Sequence, residues 1–75
     1  MNYMTLGELI EEHERGEFET VAKQVLLYGT ITEDKSWSEY SGHYRNMKVR
    51  HHDVDWTIKK HNGWVHFVRP MFNHG

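Results

Sequence analysis

Seventy-five residues suffice for one small core and not for two, and at this size burial alone is marginal, so partnering or self-association is a standing expectation. The absence of cysteine excludes a disulfide framework and a thiolate metal site, and a formal charge of −2 lacks the basic excess normal in proteins that live on phosphate contacts. No apolar run approaches the ~20 residues that span a bilayer, and Met1-Asn2-Tyr3-Met4 lacks the basic-then-apolar order of a secretion signal, so the chain reads as cytoplasmic with no membrane partner.

The first element is a helix over about residues 5–15. Thr5-Leu6-Gly7-Glu8 has the spacing of a capping box, in which Thr5 accepts the Glu8 backbone N–H and the Glu8 side chain returns to the Thr5 N–H. Gly16 supplies the stop. Leu6, Leu9, Ile10 and His13 share a stripe, leaving Glu8, Glu11, Glu12 and Glu14 largely elsewhere. Residues 20–32 follow, rich in β-branched and aromatic side chains. They compete between helix, over 20–27, and one long strand; the extended run Tyr28-Gly29-Thr30-Ile31-Thr32 favours the strand, with Val21, Val25, Leu27 and Ile31 on one face and Gly29 at a bulge or close approach.

Residues 33–43 read as a polar loop carrying Trp37 and Tyr40, either pins that anchor it or anchors for a ligand. The second half reads as three antiparallel strands over about 44–51, 54–61 and 64–69. Asn62-Gly63 is a type I′ hairpin signal, which pairs His61 with Trp64, Lys60 with Val65, Lys59 with His66, Ile58 with Phe67 and Thr57 with Val68. A second two-residue turn at His52-Asp53 pairs Arg50 with Asp55, Val49 with Trp56 and Met47 with Ile58. Apolar meets apolar from both turns, and a slip of one residue would throw every apolar side chain to the wrong face. The expected fold is therefore α+β, an N-terminal helix packed on a three- to four-stranded antiparallel sheet. Its core would be Leu6, Leu9 and Ile10 against Val25, Leu27, Met47, Val49, Trp56, Ile58, Val65 and Phe67.

Charge divides along the chain. Residues 1–43 hold nine acidic side chains against three basic, and residues 44–75 six basic against two acidic. The acidic helix face around Glu11 and Glu12, the aromatics Trp37 and Tyr40, and the polar sheet face around Trp64 are the candidate partner-binding residues. The same sheet face, with Lys48, Arg50, Lys59, His61, Trp64 and His66, mixes cations with a stackable indole in the manner of single-strand nucleic-acid binders. Seven histidines (His13, His43, His51, His52, His61, His66 and His74) raise a metal site, but no HExxH, HxH or other ligand spacing occurs. A glycine-rich phosphate loop, a GxSxG elbow and a Cys–His pair are absent too. The expectation is a binding protein rather than an enzyme, with no cofactor and no metal.

The opening Leu6-Gly7-Glu8-Leu9-Ile10-Glu11, followed by Gly16-Glu17-Phe18-Glu19, resembles the N-terminal helix and linker of small uncharacterised phage and prophage proteins. The helix-plus-sheet architecture is similar to that of phage-encoded inhibitors of host defence, including some anti-CRISPR proteins. The resemblance implies non-catalytic inhibition by occupying a host protein's surface in the bacterial cytoplasm, and it carries no functional residue across.

Overall fold

The computed structural model describes residues 2–72. Two helices, α1 (Leu6–Glu14) and α2 (Phe18–Tyr28), precede four strands, β1 (Thr30–Glu39), β2 (Gly42–His51), β3 (Val54–His61) and β4 (Trp64–Phe72), which form one antiparallel meander in chain order. The α+β class expected from the sequence is the one found, with a second helix in addition.

The capping box on α1 is complete. Thr5 Oγ1 accepts the Glu8 N–H at 3.2 Å, and Glu8 Oε1 accepts the Thr5 N–H at 2.9 Å. Gly16, at φ 78°, turns the chain out of the helix as its N–H bonds to the His13 carbonyl. Leu9 is fully buried and Leu6 and Ile10 pack beside it, while His13 Nε2 reaches across to donate to the Val68 carbonyl at 2.7 Å, fixing α1 to β4.

The expected strand over 20–32 is corrected: residues 18–28 are helical. Phe18, Val21, Ala22 and Val25 recur at i, i+3, i+4 and i+7, which sends one stripe into the core and leaves Leu27 60% exposed on the other side. The β-branched content that favours strand is overridden by this tertiary burial. Gln24 is buried within the same helix and uses its carboxamide twice, accepting from the Met4 N–H and donating to the Asn2 carbonyl, so the N-terminal segment lies along α2. Gly29 ends the helix. A Cβ there would fall 2.6 Å from the Val25 carbonyl and 2.7 Å from Val49 Cγ1, so the chain passes β2 as closely as it does only because position 29 is glycine.

The expected loop over 33–43 is also corrected. β1 covers most of it, pairing Trp37 with Tyr44 and Glu39 with Gly42 around a turn at Tyr40 and Ser41. Nine of its ten residues are exposed, leaving no alternation of burial to mark it as a strand.

The β2–β3 register is as read from the sequence: Met47 faces Ile58, Val49 faces Trp56 and Arg50 faces Asp55. Both turn residues, His52 at φ 55° and Asp53 at φ 58°, adopt the positive φ of a type I′ turn, as Asn62 and Gly63 do in the next one. The β3–β4 register starts as expected, with His61 opposite Trp64 and Lys60 opposite Val65, and then slips at a bulge. Lys59 pairs with Phe67 and Ile58 with Val68, His66 being the extra residue. The expected core position of Phe67 therefore passes to Val68, which is 2% exposed.

The core is Leu9, Val21, Ala22 and Val25 from the helices against Met47, Val49, Val54, Trp56, Ile58 and Val68 from the sheet. It occupies one face at the α2 end of the strands. The opposite sheet face is uncovered, and the end holding the 40–41 and 62–63 turns runs on past the core as a blade within a molecule 38 Å long and 20 Å thick.

Candidate binding face

Strand alternation assigns the open face. Met47, Val49, Trp56 and Ile58 point at the helices, so their neighbours Tyr44, Lys48, Arg50, Asp55, Thr57, Lys59 and His61 point away. Pairing then aligns Trp37, Tyr44, His61 and Trp64 opposite one another in a single row across all four strands. Trp37 stacks on Tyr44 with ring centroids 5.5 Å apart and planes 13° from parallel, and Tyr44 stacks on His61 at 4.6 Å and 15°. Those distances are close to the strand spacing, so the rings stand up from the sheet and cover one another's faces. Tyr44, in the middle, presents its ring edge to the surroundings. Trp64 closes the row on β4 and is 73% exposed.

Hydrogen bonds hold the row. His61 Nε2 donates to the Ser41 carbonyl at 2.9 Å, and the Ser41 and Tyr44 hydroxyls bond to each other, so the hairpin tip braces both rings. Further along, Lys59 Nζ lies 5.1 Å over the Phe67 ring, a cation–π contact that exists because the bulge turned Phe67 outward.

Lys35, Lys48 and Arg50 on this face have acidic partners, whereas Lys59 has none among the described residues. Glu33 lies 3.3 Å from Lys35 and 3.6 Å from Lys48, and Arg50 lies 3.3 Å from Asp55. The hydrogen bond from Lys35, reinforced by the charges of Lys35 and Lys48, holds the Glu33 carboxyl below the usual carboxylate range. A carboxylate held ionised between the two lysines weakens the pull such a face exerts on polyphosphate.

The structure brings together Lys48, Arg50, Lys59, His61, Trp64 and Trp37 from the expected site residues. His66 lies in the bulge, exposed. Tyr40 sits fully exposed at the tip of the hairpin, and neither it nor Trp37 is buried in the core. Glu11 and Glu12 belong to the helical layer and are held by Arg15 at 2.6 and 3.1 Å, apart from the aromatic row. Tyr44 and Phe67 join the face without having been singled out for it. Tyr44 was within reach, since extending the 52–53 hairpin register by three further pairs past Met47 and Ile58 sets it opposite His61.

At the other end of the sheet, His51 is buried and its ring lies 4.2 Å from that of His52, with Tyr3 at 5.7 Å and Tyr28 at 6.5 Å. Burial, with the neighbouring His52 charge, holds His51 below the ordinary imidazole value. Among the described residues no three His, Asp or Glu side chains converge in a way that could hold a metal ion; His74 lies outside them. No helix among them is long and apolar enough to cross a membrane. Compared with known proteins, the chain matches no family model and has no significant match among curated proteins or solved structures.

Proposed function

We propose that this chain is a non-catalytic binding protein that docks its open sheet face on the surface of another protein. The observation that carries the proposal is the row Trp37, Tyr44, His61 and Trp64 standing uncovered across four strands. Exposed tryptophan and tyrosine on a rigid sheet are the residue types and the support that interface centres favour, because their area is buried at little conformational cost. The resemblance of the opening helix to phage and prophage proteins supplies the class of partner, a host protein whose function is blocked by occupancy.

The same face can be set against single-stranded nucleic acid, and two features weigh against it. Base stacking needs ring faces, and those of Tyr44 are already spent on Trp37 and His61. Backbone binding needs unmatched cations, and of the four named on this face only Lys59 lacks a carboxylate beside it among the described residues, Lys35, Lys48 and Arg50 each having one.

The test is a tagged pull-down from nuclease-treated bacterial lysate, run in parallel with a Trp37→Ala/Trp64→Ala variant. One protein retained by the wild type in near-stoichiometric amount and lost by the variant is the expected result. Recovery of nucleic acid alone from an untreated lysate would overturn the proposal, as would a protein retained equally by both.

A further inference from the structure

The other side of the blade carries a different chemistry. Ser36, Arg45 and Lys60 form one cross-strand row on the helix-side face, and Ser38 with His43 forms the next, two residues nearer the hairpin tip. These five residues, with Trp37, Tyr44 and Gly63, line a cleft of about 410 Å³ near the hairpin tips. Each of the five is a hydrogen-bond donor: two hydroxyls, an imidazole, a guanidinium and an ammonium.

Two of them are fixed in advance. Arg45 is held by Asp34 through Nε at 3.0 Å and Nη2 at 2.6 Å, a bidentate clamp that sets the plane of the guanidinium and leaves Nη1 outside the pair. Ser38 Oγ lies 2.6 Å from His43 Nδ1, which orients the imidazole and leaves Nε2 outside that bond. Lys60 has no acidic partner among the described residues, unlike Lys35 and Lys48 on the open face. Two carboxylates lie near this side of the blade, and both are engaged: Arg45 takes both oxygens of Asp34, and Glu19 accepts the N–H of Val65, the residue opposite Lys60, at 2.9 Å.

We propose that this cleft binds the phosphate of a small phosphomonoester. The Ser36 hydroxyl, the Arg45 guanidinium, the Lys60 ammonium and the one outward donor left by the Ser38–His43 hydrogen bond, two of the four on cations, suit a phosphate with three terminal oxygens and up to two negative charges. The volume exceeds that of the phosphate itself and falls in the range of small-molecule sites, so it accommodates the body that bears the phosphate. The site borders the protein-docking face, sharing Trp37 and Tyr44 in its lining, while Ser36, Ser38, His43, Arg45 and Lys60 lie outside the aromatic row.

The experiment is a two-dimensional amide NMR titration of the full chain with ribose 5-phosphate and, separately, with inorganic phosphate, against sodium chloride at matched ionic strength. The expected result is saturable shifts centred on Ser36, Ser38, His43, Arg45 and Lys60 in the ester arm, with an affinity at least ~10-fold weaker in Lys60→Gln. Ser38→Ala is the second variant should Lys60→Gln fail to fold, with the same loss expected. Inorganic phosphate binding there as tightly as the ester would overturn the ester as occupant and assign free phosphate. Shifts spread equally over Lys35, Lys48 and Lys59, or unaltered by both substitutions, would overturn the site.

Discussion

Asn62 and Gly42 lock two hairpin tips together. The Asn62 carboxamide oxygen accepts the His43 N–H at 2.9 Å, the Asn62 N–H returns to the His43 carbonyl at 2.8 Å, and the side chain lies where a Cβ on residue 42 would be, 2.5 Å from Oδ1. The turn that starts β4 thus packs on the turn that starts β2, and the aromatic row is braced at its hairpin-tip end.

Gly42→Ala should therefore cost about 1–3 kcal/mol, from a φ of 130° that a side chain rarely adopts together with displacement of the Asn62 carboxamide. Urea unfolding measures it. A loss within experimental error of zero would mean that the two tips are not coupled.

The bulge at His66 makes a second prediction by exchanging the environments of two adjacent residues. Val68 is buried against Ile58 and the helices, whereas Phe67 lies under Lys59 on the open face. Val68→Asn buries an unpaired amide and should cost about 3 kcal/mol or more, whereas Phe67→Asn forfeits partial burial and the cation–π contact, about 1 kcal/mol. The regular register would give the opposite order, so the two unfolding curves decide between them.

That register marks where the sequence stops being legible. Turn chemistry is local, and His52-Asp53 and Asn62-Gly63 each specify their pairing; nothing local distinguishes a regular strand from one with His66 pushed out, because Phe67 and Val68 are both apolar and only packing chooses. The α2 helix was legible in principle. Phe18, Val21, Ala22 and Val25 have helical spacing, but Thr20, Val21, Val25 and the strand-like residues after Gly29 outweighed it in a window that ran across two elements. β1 carried no signal to find, since a strand exposed on both faces has no burial period. The open face was recognisable from Lys48, Lys59, His61 and Trp64; the stack of Trp37 on Tyr44 depends on β1 being a strand and could not be seen while it read as a loop.

Protonation of His51 should set the stability of the fold in mildly acidic solution. The residue is 6% exposed, Nε2 is buried with no hydrogen-bond partner among the described residues, and burial with the His52 charge lowers its pKa below the ordinary imidazole value near 6.5. As pH falls below about 6.5 the unfolded chain takes up this proton before the folded one does. Stability is therefore full above about pH 6.5 and declines toward the lowered folded value, by at most about 1.4 kcal/mol per pH unit from this group. His51→Phe should flatten urea unfolding between pH 7.5 and 5.5. The carboxyls of Glu8, Glu33 and Asp34, held low by their partners, act in a separate window, their contribution being lost as pH falls below about 4.5. An unchanged slope in His51→Phe would place the acid sensitivity elsewhere.

The aromatic residues of the blade divide into those that should cost binding and those that should cost nothing. Trp64 is 73% exposed, so Trp64→Ala should alter stability by about 0.5 kcal/mol or less, yet it removes the largest free side chain of the row and should weaken partner binding about 10-fold or more. Trp37→Ala also loses its stack on Tyr44, adding about 0.5–1.5 kcal/mol of instability to a comparable loss of affinity. Tyr40, at the hairpin tip, should tolerate alanine without change in melting temperature. Glu11→Ala and Glu12→Ala release Arg15 on the helical layer and should leave the affinity unaltered, because that layer lies on the far side of the sheet. Calorimetric unfolding and titration of the captured partner, run on the five variants side by side, separate these outcomes. Equal loss from the glutamate variants and the tryptophan variants would transfer the interface from the sheet to the acidic helix.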